Sequence, residues 1–207
     1  MLHGYTNGKS FKIILDFWSW LKRLKKHLLL ITGVPGSGKT TVLLKTIEGL
    51  RAKGYSVGGM LSREVRSRGI RVGFEILDMN RGRVGSLASV YSKQGPQIGK
   101  YRINTDDLDR IGVGAIVDAA KNCDVVVVDE IGPMELFSEQ FREVLEKIVE
   151  EKKLTICTIH WKTSDHVVES VRRREDAQMY RVTHENREHL HEEIVSKALD
   201  FLAWTRS

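Results

Sequence analysis

Cysteine is scarce in this chain. Cys123 and Cys157 are the only two among 207 residues, they stand far apart, and they form no C-x-x-C pair. A disulfide framework is not expected. Each thiol lies in an apolar strand-like run and reads as a buried structural group of a reducing cytosol. Long apolar runs are missing too. The best candidate for a membrane span, Phe11 to Leu30, is broken by Lys12, Asp16 and the basic stretch Lys22-Arg23-Leu24-Lys25-Lys26. No small-residue cleavage site follows it, so neither a transmembrane segment nor a secretory leader is expected, and the expected location is the cytoplasm. Repeats, low-complexity tracts and linkers are absent, which argues against a second domain. Asn and Gln are few beside abundant Lys, Arg and Glu, the usage of thermophile proteins. Nor is charge of one sign massed in one place. The 33 Lys and Arg against 27 Asp and Glu give a formal net charge of +6, which suits anionic nucleotides. Nucleic acid as a partner stays open without being indicated.

What is present is concentrated in two places. Gly33-Val34-Pro35-Gly36-Ser37-Gly38-Lys39-Thr40-Thr41 fills the pattern G-x-x-x-x-G-K-[ST]. The apolar run Leu28 to Thr32 before it reads as a buried strand, and Thr41 to Leu50 after it reads as a helix. Glycines at these positions let the backbone curl with its N–H groups inward, an anion-binding nest closed by a helix N-terminus. In this pattern Lys39 reaches the β- and γ-phosphates of a nucleoside triphosphate and the Thr40 hydroxyl ligates magnesium. Downstream, Cys123-Asp124-Val125-Val126-Val127-Val128-Asp129-Glu130 is an apolar run ending in two acids, as expected of a central parallel strand covered on both faces. Such strands deliver functional groups at their carboxyl ends. Asp129 is then the second holder of magnesium. Glu130, one residue on and pointing to the other side, is placed to orient and deprotonate a water.

The rest alternates strand and helix signals, which predicts an α/β sandwich with a mostly parallel sheet. Its 41% hydrophobic and 29% charged residues are globular values, and residues 27–207 read as one domain. Tyr55 to Val65 and Ile70 to Met79 read as strands joined at Ser67-Arg68-Gly69, an added hairpin. Helices are expected from Thr105 and Asp106 to about Ala120, over Phe137 to Glu151, over Asp165 to Arg173 and over Asn186 to Trp204. Further strands are expected over Leu154 to His160 and Gln178 to Thr183. Residues 1–26 form an extension. Ile14, Phe17, Trp18, Leu21 and Leu24 share a face of an amphipathic helix with basic flanks, read as packing on the protein's own body, with a membrane surface or another subunit as alternatives. The sequence sets no oligomeric state.

Other residues invite two readings each. Glu135 is a second candidate base, or a solvated residue before the next helix, the favoured reading. His160 is a phosphate sensor or a strand-end hydrogen-bonding group. Arg63, Arg66, Arg68 and Arg71 crowd the hairpin as an arginine finger or as a solvated face. Arg172-Arg173-Arg174 reads as a basic helix end or as a lid over phosphates, and Thr183 and Asn186 as capping residues or as base-edge contacts. The guanine signature Asn-Lys-x-Asp is absent.

The phosphate loop together with Val127-Val128-Asp129-Glu130-Ile131-Gly132-Pro133-Met134-Glu135-Leu136 resembles the small thermophilic nucleoside-triphosphatases, P-loop proteins to which the human cancer-related nucleoside-triphosphatase is similar. Arg63-Glu64-Val65-Arg66, Arg71-Val72-Gly73-Phe74, Gly99-Lys100-Tyr101, Val182-Thr183 and Asn186-Arg187 match as well, from about His27 onward. The resemblance implies Mg2+-dependent hydrolysis of ATP, GTP, CTP and UTP to diphosphate and phosphate. It also implies a nucleotide-binding segment over Val125, Val126, Val127, Val128, Asp129, Glu130, Ile131 and Gly132. Two other classes stay open: a nucleotide or polynucleotide kinase, which needs an acceptor pocket, and a regulatory switch or nucleic-acid-dependent ATPase.

Overall fold

Four apolar residues in a row, Leu28 to Ile31, need cover on both sides. In the computed structural model, which describes residues 26–205, they lie in β1 (Leu28–Gly33). Leu28 and Leu30 enter one hydrophobic core, and Leu29 and Ile31 enter the other. The same two-sided burial recurs in β7 (Val125–Ile131) and β8 (Leu154–His160), where Val126, Val128, Cys157 and Ile159 face one core and Val125, Val127, Leu154 and Ile156 the other. β2 is Val57–Ser67, β3 Ile70–Asp78, β4 Val84–Ser89, β5 Gln97–Ile98, β6 Tyr101–Ile103 and β9 Ala177–Arg181. The described residues build one nine-stranded sheet in the order β5-β6-β4-β3-β2-β7-β8-β1-β9.

Helices cover both faces, giving the three-layer α/β sandwich expected. α1 (Lys39–Ala52) and α6 (Leu190–Thr205) pack on one face through Val42, Leu43, Ile47, Ile194 and Phe201. On the other face lie α3 (Gly114–Asn122), α4 (Glu139–Glu150) and α5 (His166–Arg172), through Ile116, Phe141, Leu145 and Val168. The helix expected from Thr105 begins as a short turn, α2 (Thr105–Asp107), capped by the Asn104 side chain rather than by Thr105, and passes through a wider π-helical turn at Leu108–Val113. α4 starts later than Phe137, because Ser138 accepts a hydrogen bond from the Phe141 N–H and Glu135–Phe137 form a separate 3-10 turn. α6 likewise starts at Leu190 rather than Asn186.

The hairpin is part of a larger structure than the sequence suggests. The first four residues of β2, Val57 to Met60, run parallel to Val125–Val128 of β7, while Met60 to Ser67 pair antiparallel with β3. β4, β6 and β5 extend this antiparallel wing. The outer half of β2 therefore overhangs the carboxyl edge of the parallel strands. The wing strands were not legible because β4, Val84 to Ser89, carries one glycine and two serines and a single β-branched residue, Val84. The amphipathic segment expected between Phe11 and Lys25 lies outside the described residues. Among the described residues no helix is long and apolar enough to cross a membrane.

Candidate active site

The carboxyl edge of the parallel strands gathers the chemistry. Gly33 closes β1 opposite His160 of β8, and the ladder between β7 and β8 slips between Val128 and Ile131, where Asp129 and Glu130 sit. From Gly33 the chain turns through a Val34 C=O to Ser37 N–H bond of 3.1 Å into α1. Gly38 stands at φ 103° at the helix entry, a conformation L side chains rarely adopt, so glycine is required there. Gly33 is required for space, since a Cβ would lie 2.6 Å from Ser37 Oγ and 2.9 Å from the Val182 carbonyl oxygen.

Loop and strand end meet. The Thr40 hydroxyl donates to Asp129 Oδ2 at 3.5 Å, and Lys39 Nζ donates to the Gly33 carbonyl at 3.2 Å and stands 3.7 Å from Glu130 Oε1. The Thr158 hydroxyl of β8 fixes the other oxygen, Asp129 Oδ1. Successive strand residues should point to opposite sides, as expected for Asp129 and Glu130. Instead, both carboxylates reach the loop. Burial lifts the Asp129 carboxyl to about 6, with the Thr158 hydrogen bond opposing and the Glu130 charge adding to the rise.

Glu135 corrects the solvated reading given to it. It is 5% exposed, accepts a hydrogen bond from the Gly132 N–H at 3.1 Å, and is lifted to about 8 by burial, with Glu130 and Asp129 contributing. The 3-10 turn tucks it under the strand end instead of leaving it at a helix approach. His160 is both held and facing the site: Nδ1 lies 3.1 Å from the Thr163 hydroxyl, and Arg172 grips the His160 and Thr163 carbonyls at 3.0 and 2.9 Å. The basic helix end is as expected, with Arg172 in the last turn of α5 also serving as this clasp, while Arg174 is taken by Asp176 and Glu150.

These groups open on one cavity of about 670 Å³, which Pro35, Gly36, Gly38, Lys39, Thr40 and Thr41 line on one side and Glu130, Gly132, Glu135 and His160 at its floor. Ser37 is buried beneath the loop, and Val34 is exposed beside it. Val125, Val126, Val127, Val128 and Ile131 are buried in the sheet, so they position the acids and do not line the cavity. Arg63 and Arg71 line it, whereas Arg66 pairs with Glu64 and Arg68 sits at the hairpin tip. Cys157 is buried, its thiol pushed up to about 12. Cys123 is only half-buried, just after α3, where it accepts from Asn80 Nδ2. Asn186 caps no helix. Its amide accepts from the Thr183 N–H and donates to the Arg181 carbonyl. Phe74, Leu87, Ile98 and Met134 were missed as lining residues: Leu87 and Ile98 are isolated apolar residues without a motif, and Phe74 and Met134 stand in matched stretches that assign them no role.

A phosphate loop on a strand–helix turn, facing an acid pair at the end of a parallel strand, defines a P-loop nucleotide hydrolase or transferase. The NTPase family model matches residues 28–195, and the chain belongs to this family of nucleoside-triphosphatases. Nucleoside-triphosphatase THEP1 of Thermofilum pendens is 42% identical over 175 residues, 84% of this chain and 96% of that protein. THEP1 of Methanothermobacter thermautotrophicus is 40% identical, over 84% and 97% of the two chains. The crystal structure of THEP1 from the hyperthermophile Aquifex aeolicus superposes with a TM-score of 0.74 at 30% identity, over 82% of this chain and 97% of that one. The solution structure of a human cancer-related nucleoside triphosphatase gives 0.69 at 31% identity, over 82% and 96%.

Proposed function

We infer that this chain hydrolyses nucleoside triphosphates to diphosphate and phosphate with Mg2+, and with little preference among ATP, GTP, CTP and UTP. The observation that carries the reading is the meeting of Lys39 and Thr40 with Glu130 at the cavity wall and with Asp129, buried behind it. Thr40 and Asp129 offer two hard oxygen donors, and no cluster of three or more His, Cys, Asp or Glu ligands exists among the described residues. That donor set fits Mg2+, which takes one or two protein ligands and completes its shell with phosphate oxygens and water. When bound, the ion neutralises charge on the β- and γ-phosphates.

This chain's own residues do the rest. The loop N–H groups and Lys39 hold the phosphates in place. Glu130 accepts a proton from the attacking water and aligns it with the γ-phosphorus. Glu135, protonated at neutral pH by its burial, keeps a third negative charge away from the phosphates. Breadth of base follows from the Asn186 amide, the base-reading candidate, being engaged at both ends. Arg187 stands against the loop, 3.8 Å from where a Cβ of Gly38 would lie, and offers a flat guanidinium on which any base stacks. Residues 27–207 act as one domain to which 1–26 is appended, and the free thiols suit the cytoplasm.

Phosphate release from the four triphosphates, with Mg2+ and with chelator, tests the reading. All four should fall within about tenfold, ~1.4 kcal/mol of discrimination. Release should stop with chelator, and Asp129→Ala should shift the Mg2+ titration to higher concentration. A strong preference for one base, or an unchanged titration, overturns the corresponding assignment.

A further inference from the structure

The cavity continues well beyond the loop. Across the sheet from Lys39, past His160 and Glu130, its far wall is made by Arg63 on β2, Arg71 and Phe74 on β3, Leu87 on β4, Ile98 on β5 and Met134 after β7. With the phosphates on the loop and Lys39, the γ-phosphorus faces Glu130. In-line transfer then needs its attacking oxygen on the side away from the leaving diphosphate, which is the side of this wall. An attacking water takes about 30 Å³ of liquid volume, and it has no use for an apolar surface. The wall is instead composed for something larger. The Phe74 ring is met edge-on by Tyr101, at 5.4 Å, and has the Arg71 guanidinium 5.1 Å from its centroid. Arg63 and Arg71 pair with Glu75 and Glu64 on an exposed surface, where ion pairs are weak and a doubly charged phosphate displaces them.

Resting on the roles given above to Lys39 and Glu130, we propose that this wall is a second subsite that seats a phosphoryl acceptor of the nucleoside 3′-monophosphate class. Its base stacks on Phe74 among Leu87, Ile98 and Met134. Its phosphate meets Arg63 and Arg71, and its free 5′-hydroxyl points at the γ-phosphorus. A hydroxyl is favoured over a phosphate oxygen as the attacking group because Glu130 supplies a base, which an already anionic oxygen does not need. The bond from the γ-phosphorus to the β–γ bridging oxygen breaks, and a bond from the γ-phosphorus to the 5′-oxygen forms. The hydroxyl proton passes to Glu130, and the nucleoside diphosphate leaves with the bridging oxygen and its electron pair. The product is a nucleoside 3′,5′-bisphosphate, and water takes the acceptor's place when the subsite is empty.

The test uses the full-length protein with γ-labelled ATP, Mg2+ and each of the four nucleoside 3′-monophosphates, with label counted in bisphosphate and in free phosphate. Label in the bisphosphate is expected. Arg71→Ala and Phe74→Leu should lower the ratio of transfer to release by about tenfold or more, the loss that follows removal of a charged hydrogen bond or a stacking face. Phe74 packs on the core, so the exposed Arg71 keeps the test decisive should Phe74→Leu not fold. Label found only as free phosphate with every acceptor overturns the subsite while leaving hydrolysis standing. An unchanged ratio in Arg71→Ala also overturns it. Absence of phosphate release without acceptor counts instead against the hydrolytic reading.

Discussion

In the proposed mechanism, hydrolysis turns on Glu130. Glu130→Gln keeps the shape of the side chain and removes the proton acceptor. Turnover should therefore fall by roughly 10²-fold while nucleotide affinity, set by the loop and Lys39, persists. Single-turnover hydrolysis with equilibrium binding checks this, and turnover near wild type would remove the role from Glu130. Glu135 itself has a thermodynamic signature. Its folded pKa of about 8 lies above the ordinary carboxylate value, so its contribution to stability is complete in acid and is lost as pH rises toward 8. In metal-free, nucleotide-free protein, stability should fall by up to about 1.4 kcal/mol per pH unit within that window. Glu135→Gln should flatten the slope and melt higher than wild type at pH 8, as thermal unfolding across pH 5 to 9 would show. At this scale the sequence was half legible. Lys39, Thr40 and Asp129 announce themselves through spacing, because loop and strand end are local patterns. Glu135 does not, because its burial depends on a 3-10 turn and on elements distant in sequence.

Among the elements, caps decide more than propensities. Ser138 both accepts from the Phe141 N–H at the start of α4 and donates to Asp109 Oδ1. Asp165 caps α5 through the Val167 N–H and takes a two-pronged pair from Arg142, whose guanidinium holds the Asp165 carboxyl below the usual range. Ser138→Ala should cost about 1 kcal/mol, and so lower Tm by roughly 2–4 °C for a chain of this size. A calorimetric scan measures it directly. Strand and helix identities followed from periodicity, and so did the start of α5 at Asp165, but the starts of α2, α4 and α6 did not, because a cap is a single hydrogen bond that several neighbouring Ser, Asp or Asn residues offer equally. The antiparallel wing escaped detection for another reason. β5 and β6 hold two and three residues, too few to show alternation.

For the molecule as a whole, the family match starts at Leu28, next to the first strand. Lys26 is already part of the body, its Nζ donating to the Ala177 carbonyl at 2.9 Å and to that of Glu175. Removal of residues 1–25, with Lys26 kept, should therefore leave turnover within about twofold, a change worth less than ~0.5 kcal/mol. Steady-state assays of the truncated and full chains decide it. A folded truncation that has lost activity would place the extension in the site.

β2 has one foot in the parallel layer and its other end in the overhanging hairpin. The tip at Arg68 and Gly69 is solvent-facing, and a Cβ on Gly69 would meet nothing within 4 Å. Residues added there lengthen the overhang without moving the foot that fixes Val57 to Met60 against β7. The protein is thereby modular within a single strand. A longer eave would change what shelters above the hearth of loop and strand-end groups without disturbing that hearth.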